Sequence, residues 1–178
     1  MSLYDDLYSQ FRRILIDACS PEYRDCPVIR SHQSGDEQQS TYAVVNILSL
    51  PKTGSAMTST LASTTDDIAY SLRVMIPYQA FVQYSFVGPD AGSMALHAHM
   101  RMTNSPVNRE YAQSFNLSQL NVTDIRRLPQ KRETTWVDQH TFDVTYSMIL
   151  SFDKDVDIIK TIEYLDPFND ELISVPPQ

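Results

Sequence analysis

An α+β domain built on a long, mostly antiparallel β-sheet is the fold class that this sequence predicts. Between Tyr70 and Phe86, every even-numbered position is apolar or aromatic, which places these side chains on one face of an extended chain. Residues 142–152 repeat the alternation. The 178 residues fit one domain, the ten tyrosines and seven phenylalanines suit strands, and only four glycines argue against a glycine-rich phosphate loop.

The sheet is predicted to contain long hairpins. A single strand over 70–87 would span roughly 60 Å, and Pro77 cannot donate to a sheet ladder. We therefore expect two strands there, or one strongly bent ribbon, with the break near Pro77. Residues 136–152 are predicted as one long strand, 153–155 as a polar turn, and 156–165 as the second arm of a hairpin.

Two helices are predicted to pack against this sheet. Residues 3–18 carry apolar side chains at steps of three and four, with Ser2 as a candidate N-cap and Pro21 as the stop. Residues 90–103 form the second, mid-chain helix, for which Asp90 is a candidate cap. Its predicted sheet-facing stripe consists of small and flexible residues: Ala91, Met94, Ala95, Ala98 and Met102.

The remaining segments are assigned from local composition. Residues 41–50 are apolar on both faces and predict a central strand, while 28–32 predict a short edge strand and 33–40 a polar turn. Residues 104–120 are expected to be irregular and 122–128 to form another strand. We expect a single domain over 1–165 and an extended, acidic C-terminal arm over 166–178.

Composition and motifs argue against several classes of function. The net charge of −8 makes the chain a poor default binder of nucleic acid, although an acidic wall could line a channel through which DNA slides. No catalytic or nucleotide-binding motif is present, so we expect no enzyme and no cofactor. His97 and His99 point to nearly opposite sides of a helix, so no metal site is expected.

The sequence also shows no pattern typical of membrane insertion or of a redox-active cysteine pair. No signal peptide and no apolar run near ~20 residues is seen, so no membrane partner is expected. Cys19 and Cys26 lack metal or redox spacing and are expected to stay reduced in a cytoplasmic setting, with a bridge across their short loop as the alternative.

Three regions are candidates for contact with other subunits or partners. Tyr4 and Tyr8 either widen the core face of the first helix or face a neighbour. Residues 52–67 are rich in small and hydroxylated side chains, and form a hairpin extension or loop that orders against another subunit, or a mobile surface loop. The only basic cluster follows residue 125, and is either a solvated turn balanced by acids or a contact for DNA backbone or an acidic partner. With the C-terminal arm, the candidate interface residues are Tyr4, Tyr8, Lys52, Met57, Leu61, Asp66, Asp67, Arg126, Arg127, Lys131, Arg132, Trp136, Phe168 and Asp170.

The order of these parts supports a family resemblance. A helix opening on residues 3–7, the strand at 42–49, the strand pair that ends at 88–91 before a helix, and the closing segments 142–146 and 157–159 follow one another along the chain. Over roughly residues 1–165, this order resembles the neck-terminator or tail-terminator proteins of tailed bacteriophages.

The resemblance implies a structural virion protein without catalytic residues. Such subunits form a closed ring, typically a hexamer, that caps the tail tube and joins it to the head connector or adaptor, with the sheath protein as a further partner. Genomic DNA passes through the lumen without sequence-specific binding, and the ring is assembled in the host cytoplasm. The alternatives that stay open are another tail, connector or tube component, and a small enzyme or ligand-binding module.

Overall fold

A computed structural model describes residues 3–31, 40–62, 70–132, 135–156, 162–165 and 172–175. Its helices are α1 (Leu3–Cys19), α2 (Ala91–Asn104) and α3 (Pro106–Gln113). Its strands are β1 (Val28–Arg30), β2 (Tyr42–Ser49), β3 (Met57–Ala62), β4 (Tyr70–Val87), β5 (Leu117–Val122), β6 (Arg126–Arg127), β7 (Gln130–Arg132), β8 (Thr135–Val137), β9 (Gln139–Val156), β10 (Ile162–Leu165) and β11 (Leu172–Val175).

Seven of these strands form one mixed sheet in the order β1-β2-β4-β9-β5, with β3 also paired to β4 and β6 to β9. The ladder between β1 and β2 is parallel, and those made by β3, β5 and β6 are antiparallel, as is the ladder between β2 and β4. Two further pairs, β7-β8 and β10-β11, form small separate sheets. The prediction of an α+β fold with a mostly antiparallel sheet, an N-terminal helix and a mid-chain helix is confirmed.

The chain divides into two compact units. The first comprises Met1–Thr53 and Pro77–Ile149 and contains α1, α2 and α3, while the second comprises Gly54–Ile76 and Leu150–Gln178. Every buried apolar side chain that the structure describes belongs to the first unit. In the second unit, none of the side chains that the structure describes is buried. The hydrophobic stabilisation of the described residues is therefore concentrated in the first unit.

Aromatic side chains from the two long strands form the centre of the core in the first unit. Tyr84, Phe86, Phe142 and Tyr146 are all fully buried, because alternation directs the even positions of β4 and β9 toward the same face. The ring centroids of Phe86 and Phe142 lie 5.9 Å apart, and the hydroxyl oxygens of Tyr84 and Tyr146 are 3.1 Å apart. Phe11 of α1 packs on Tyr146, with ring centroids 5.2 Å apart.

Buried polar groups fix the helices to each other and to the sheet. The side-chain amide of Asn108, fully buried on α3, donates to the Ile14 carbonyl at 3.3 Å and to Asp17 Oδ2 at 2.9 Å, both on α1. Gln119 of β5 donates to the Met102 carbonyl at the end of α2, at 2.8 Å. These bonds satisfy groups whose burial is otherwise costly, so they specify where each helix sits.

The buried stripe predicted for the mid-chain helix is confirmed, but the predicted capping of this helix by the Asp90 side chain is wrong. Asp90 occupies the N-cap position, yet its side chain makes no capping hydrogen bond, and its backbone N–H donates to Thr41 Oγ1 at 3.1 Å. The preceding Gly88 has φ of +124°, and a Cβ there would lie 2.7 Å from Thr41 Cα. The turn into α2 therefore depends on a glycine and on close approach to residue 41.

Strand β4 is one continuous strand, so the first alternative predicted for 70–87, two strands, is wrong, while the second, one strongly bent ribbon, stays a prediction. The division between the compact units nevertheless falls directly before Pro77. Within the first unit, the Thr53 N–H donates to the Pro77 carbonyl and the Gln79 N–H to the Pro51 carbonyl, both at 3.0 Å. Proline is tolerated at position 77 because its carbonyl accepts a hydrogen bond, and only the N–H donor that proline lacks is missing from the ladder.

Several predicted boundaries between 104 and 138 are also wrong. Residues 104–120 contain α3 and the start of β5, because Pro106 occupies the first turn of a helix, where its missing N–H has no cost. The strand predicted over 122–128 is replaced by β5, which ends at Val122, and by the two-residue β6. The strand predicted over 136–152 is divided at Asp138, whose carbonyl accepts from the Gly88 N–H outside the ladder.

In the second unit, the predicted hairpin extension is confirmed over β3, which pairs with β4 from Met57 opposite Met75 to Ala62 opposite Tyr70. The polar turn predicted at 153–155 is wrong, since β9 continues to Val156. Asp153 accepts two hydrogen bonds from Arg73, at 2.8 and 3.0 Å, so its charge has a partner within the sheet. The hydrogen bonds from Arg73 lower the pKa of this carboxyl.

The C-terminal strands pair with each other. The second arm predicted over 156–165 is represented by β10, and its partner is β11 rather than β9. The predicted domain boundary after residue 165 falls between β10 and β11 and stays a prediction. The predicted edge strand at 28–32 and central strand at 41–50 correspond to β1 and β2. The Ser2 cap and most of the 33–40 turn lie outside the described residues.

Candidate interaction surface

The β7-β8 hairpin presents the most exposed large apolar side chain that the structure describes. Trp136 is 67 % exposed and lies directly opposite Lys131 in the hairpin ladder. Because directly opposite residues share a face, with Cβ atoms about 5 Å apart, an indole and an ammonium group are presented together. The two strands form a sheet of their own and are not paired with the seven-stranded sheet.

An open cavity of ≈ 410 Å³ lies at the base of this hairpin, lined by Arg127, Pro129, Trp136, Val137 and Asp138. Arg127 Nε donates to Asp138 Oδ1 at 2.8 Å, which fixes one polar wall. Trp136, Pro129 and Val137 supply apolar walls. These apolar walls with one ion pair suit an apolar or amphipathic group from a partner. We call Arg127, Pro129, Lys131, Trp136, Val137 and Asp138 the Trp136 surface.

Helix α2 borders the same part of the first unit. Arg127 lies opposite His140 in the β6-β9 ladder, and a Cβ at Gly92 would lie 3.2 Å from His140 Cε1. Leu96 and Met100 stand one and two turns beyond Gly92 along α2 and are 53 % and 55 % exposed. Helix α2 thus carries two exposed apolar side chains beyond the point where it packs against His140.

The basic cluster is split between two faces of the sheet. Arg126 lies opposite Thr141 in the ladder and is ion-paired with Asp143, while its neighbour Arg127 points to the other face and pairs with Asp138. Both arginines thus have carboxylate partners, as expected for a turn balanced by acids. For Lys131, no carboxylate partner is found in the described part of the chain. Arg132 lies in β7.

The two tyrosines of α1 contact Arg30 of the edge strand β1. The guanidinium carbon of Arg30 lies 5.0 Å from the ring centroid of Tyr4 and 5.3 Å from that of Tyr8, and its NH1 is 3.0 Å from Asp5 Oδ1. Burial raises the pKa of the Tyr8 hydroxyl. This arrangement attaches β1 to α1 through cation–π contacts, so within one subunit these tyrosines already have a structural role.

The other predicted interface residues are not brought to the Trp136 surface by any described contact. Lys52 is exposed and forms an isolated bridge with Tyr78, and Met57 is 51 % exposed at the start of β3, the strand that also contains Leu61. Asp66, Asp67, Phe168 and Asp170 lie outside the described residues. Sequence reasoning missed Leu96 and Met100, whose signal was an apolar i, i+4 pair off the buried stripe of α2.

Cys19 is buried and Cys26 partly buried, and both are free thiols. Burial raises the pKa of the Cys19 thiol to about 12 and that of Cys26 to about 11, so both are poor nucleophiles near neutral pH. No cluster of three potential metal ligands occurs in the ranges that the structure describes. Among the same residues, no helix has the length and apolarity needed to cross a membrane.

Comparison with known proteins gives one informative result. No match is found among curated proteins. The family described as phage neck terminator protein matches residues 5–171, which is nearly the whole chain, and this confirms the resemblance found from the order of the elements. The chain therefore belongs to the phage neck terminator protein family, and is a structural, non-enzymatic protein of the phage neck that contacts other head or tail proteins.

Proposed function

We propose that copies of this chain form a closed ring, a hexamer, that terminates the tail tube and joins it to the head connector. The observation that carries the proposal is the family match over residues 5–171. A ring requires a heterologous contact, in which one patch of a subunit meets a different patch of the next. The partly exposed aromatic and apolar side chains of the first unit supply surface of the kind enriched at such contacts.

The charge of the chain supports passage of DNA through the ring. Tight binding to phosphates comes mainly from lysine and arginine, and this chain carries 14 of them against 22 carboxylates. Two of the arginines in its only basic cluster are paired with carboxylates. A lumen lined by such a subunit contacts DNA weakly and without sequence preference, so the genome can slide through.

The remaining predicted contacts belong to the same proposal. Residues 1–165 form the ring subunit and 166–178 an arm, with Phe168 and Asp170 of the arm and Lys52, Met57 and the rest of 52–67 meeting neighbouring components. These components are the tail tube protein, the head connector or adaptor, and the sheath protein where the tail has one. Assembly takes place in the host cytoplasm before the ring enters the virion.

Negative-stain electron microscopy combined with mass measurement tests this proposal. The purified protein is imaged alone and mixed with tail tubes, with the tubes alone and an unrelated acidic protein of similar mass as controls. Closed rings, or rings seated on one end of a tube, are expected. Open fibres would indicate a tube protein, and a protein that forms no ring and ignores tubes would contradict termination.

A further inference from the structure

We infer that the Trp136 surface is one half of the contact between neighbouring copies in the ring, and that the other half is an acidic surface of the next copy. This inference rests on the proposed ring. Trp136 is the only tryptophan of the chain and is 67 % exposed, with Lys131 directly opposite it. Tryptophan in a concave site is the side chain most often found at energetically dominant positions of protein interfaces.

The charge of the chain favours a second copy as the occupant. Residues 126–132 contain four of the 14 lysines and arginines and no carboxylate. The other residues therefore hold 10 cations against 22 carboxylates, a net charge of −12. Within each subunit, Asp143 and Asp138 already neutralise Arg126 and Arg127, and Lys131 is the cation of the Trp136 surface for which the described residues supply no carboxylate. A second copy is mostly negative outside this segment, and this complementarity draws it to Lys131.

The same charges decide the geometry of the contact. If two Trp136 surfaces met across a two-fold axis, the Lys131 ammonium group of one copy would lie close to the Lys131 ammonium group of the other. Like charges brought together in this way are unfavourable, so a two-fold dimer through this surface is disfavoured. A head-to-tail contact, in which the basic hairpin of one copy meets an acidic region of the next, avoids the repulsion and leads to ring closure.

The cavity beside Trp136 supplies the apolar part of this contact. Its volume of ≈ 410 Å³ accommodates side chains from the next copy between Trp136, Pro129 and Val137. The ion pair of Arg127 and Asp138, with a 2.8 Å hydrogen bond, holds the polar wall in place before binding. An interface core that is apolar, with charge at its rim, is the usual arrangement.

The single tryptophan provides a direct test in the full-length protein. Sedimentation velocity and tryptophan emission are measured together over a range of protein concentrations. For the wild type, we expect rings to form and the emission to shift to shorter wavelength in parallel, because the indole leaves water on assembly. Trp136→Ala should weaken assembly at least about tenfold, as expected for a dominant interface side chain. Its exposure means that the subunit itself should stay folded, which circular dichroism verifies.

Two matched controls isolate the surface. Leu128→Ala removes another large apolar side chain, which is 48 % exposed. Leu128 lies between Arg127 and Pro129 in the sequence but does not line the cavity, so this change should leave assembly unchanged. Lys131→Glu should weaken assembly and reduce its sensitivity to salt, whereas Arg13→Glu on the exposed side of α1 changes net charge equally and should not. This pair keeps the test decisive even if Trp136→Ala folds poorly.

The outcomes separate this inference from the proposed function. Rings that form with unchanged tryptophan emission, and equally well in Trp136→Ala and Lys131→Glu, overturn the inference while the ring proposal stands. A wild type that is monomeric alone but caps tail tubes, with an emission shift only on the tubes, also overturns it and assigns the surface to a tail protein. A wild type that neither forms rings nor caps tubes overturns the proposed function as well.

Discussion

The pair of buried tyrosine hydroxyls at the centre of the core gives a quantitative test of the fold. Tyr84 and Tyr146 are both fully buried, their hydroxyl oxygens are 3.1 Å apart, and no other partner of either hydroxyl is found among the described residues. Burial raises the pKa of both groups, so each is a neutral hydroxyl under ordinary conditions. The perturbation is Tyr146→Phe, which removes one hydroxyl and leaves the ring that packs on Phe11.

The expected loss follows from the hydroxyl that is left behind. In Tyr146→Phe, the Tyr84 hydroxyl keeps the cost of burial without its hydrogen bond, which destabilises a protein by about 1–3 kcal/mol. For a chain of this size, about 2 kcal/mol corresponds to a decrease in Tm of roughly 4–8 °C. Tyr84→Phe should cost about the same. The double variant removes both polar groups and keeps both rings, so it should recover most of the loss and lie within about 0.5 kcal/mol of the wild type.

Urea unfolding of the four proteins forms a double-mutant cycle that measures this coupling. Tyr111→Phe, a half-buried tyrosine on α3, controls for the substitution itself. If the double variant loses the sum of the two single losses, the hydroxyls act independently and the 3.1 Å bond does not hold them together. Single variants as stable as the wild type would mean that water reaches this part of the core.

Three further predictions follow from the same structure. Gly88→Ala should cost about 2 kcal/mol or more in urea unfolding, because its φ of +124° and the adjacent backbone exclude a Cβ. Gly92→Ala should cost less, because alanine gains about 1 kcal/mol of helix propensity and the new Cβ meets only the His140 side chain, at 3.2 Å; equal losses would contradict this. The raised pKa of Cys19 adds stability that is present below about pH 9 and is lost as the pH rises toward the folded-state value of about 12. The unfolding free energy of Cys19→Ala should therefore fall less steeply than that of the wild type between about pH 9 and 11. An unchanged slope would refute this. In a third variant, an Asn-Gly turn replaces Gly54–Ile76, and Leu150–Gln178 is removed. It should still melt cooperatively by circular dichroism, because the described buried core lies outside both segments and the chain ends to be joined are hydrogen-bonded to each other. A non-cooperative melt would show that the second unit supports the core.

Local spacing in the sequence was sufficient to determine the fold class and its main elements. The alternation over 70–86 and 142–152 predicted extended segments of one sheet, since side chains of an extended chain point alternately to its two faces, although it did not predict that 70–87 is one continuous strand. Steps of three and four residues predicted α1 and the buried stripe of α2 for the same geometric reason. The order of these elements along the chain was also enough to identify the family, although no single motif did so.

The tertiary structure alone decided which residues meet. Arg126 and Arg127 are neighbours in sequence, but the ladder with β9 sends them to opposite faces, where Asp143 and Asp138 hold them. Pairing register also places Lys131 against Trp136 and Arg127 against His140, the residue that packs on Gly92 of α2. Such contacts depend on backbone hydrogen bonds between distant segments, which composition and periodicity do not encode. The sequence therefore suggested individual residues of the Trp136 surface, and only the tertiary structure showed which of them lie together.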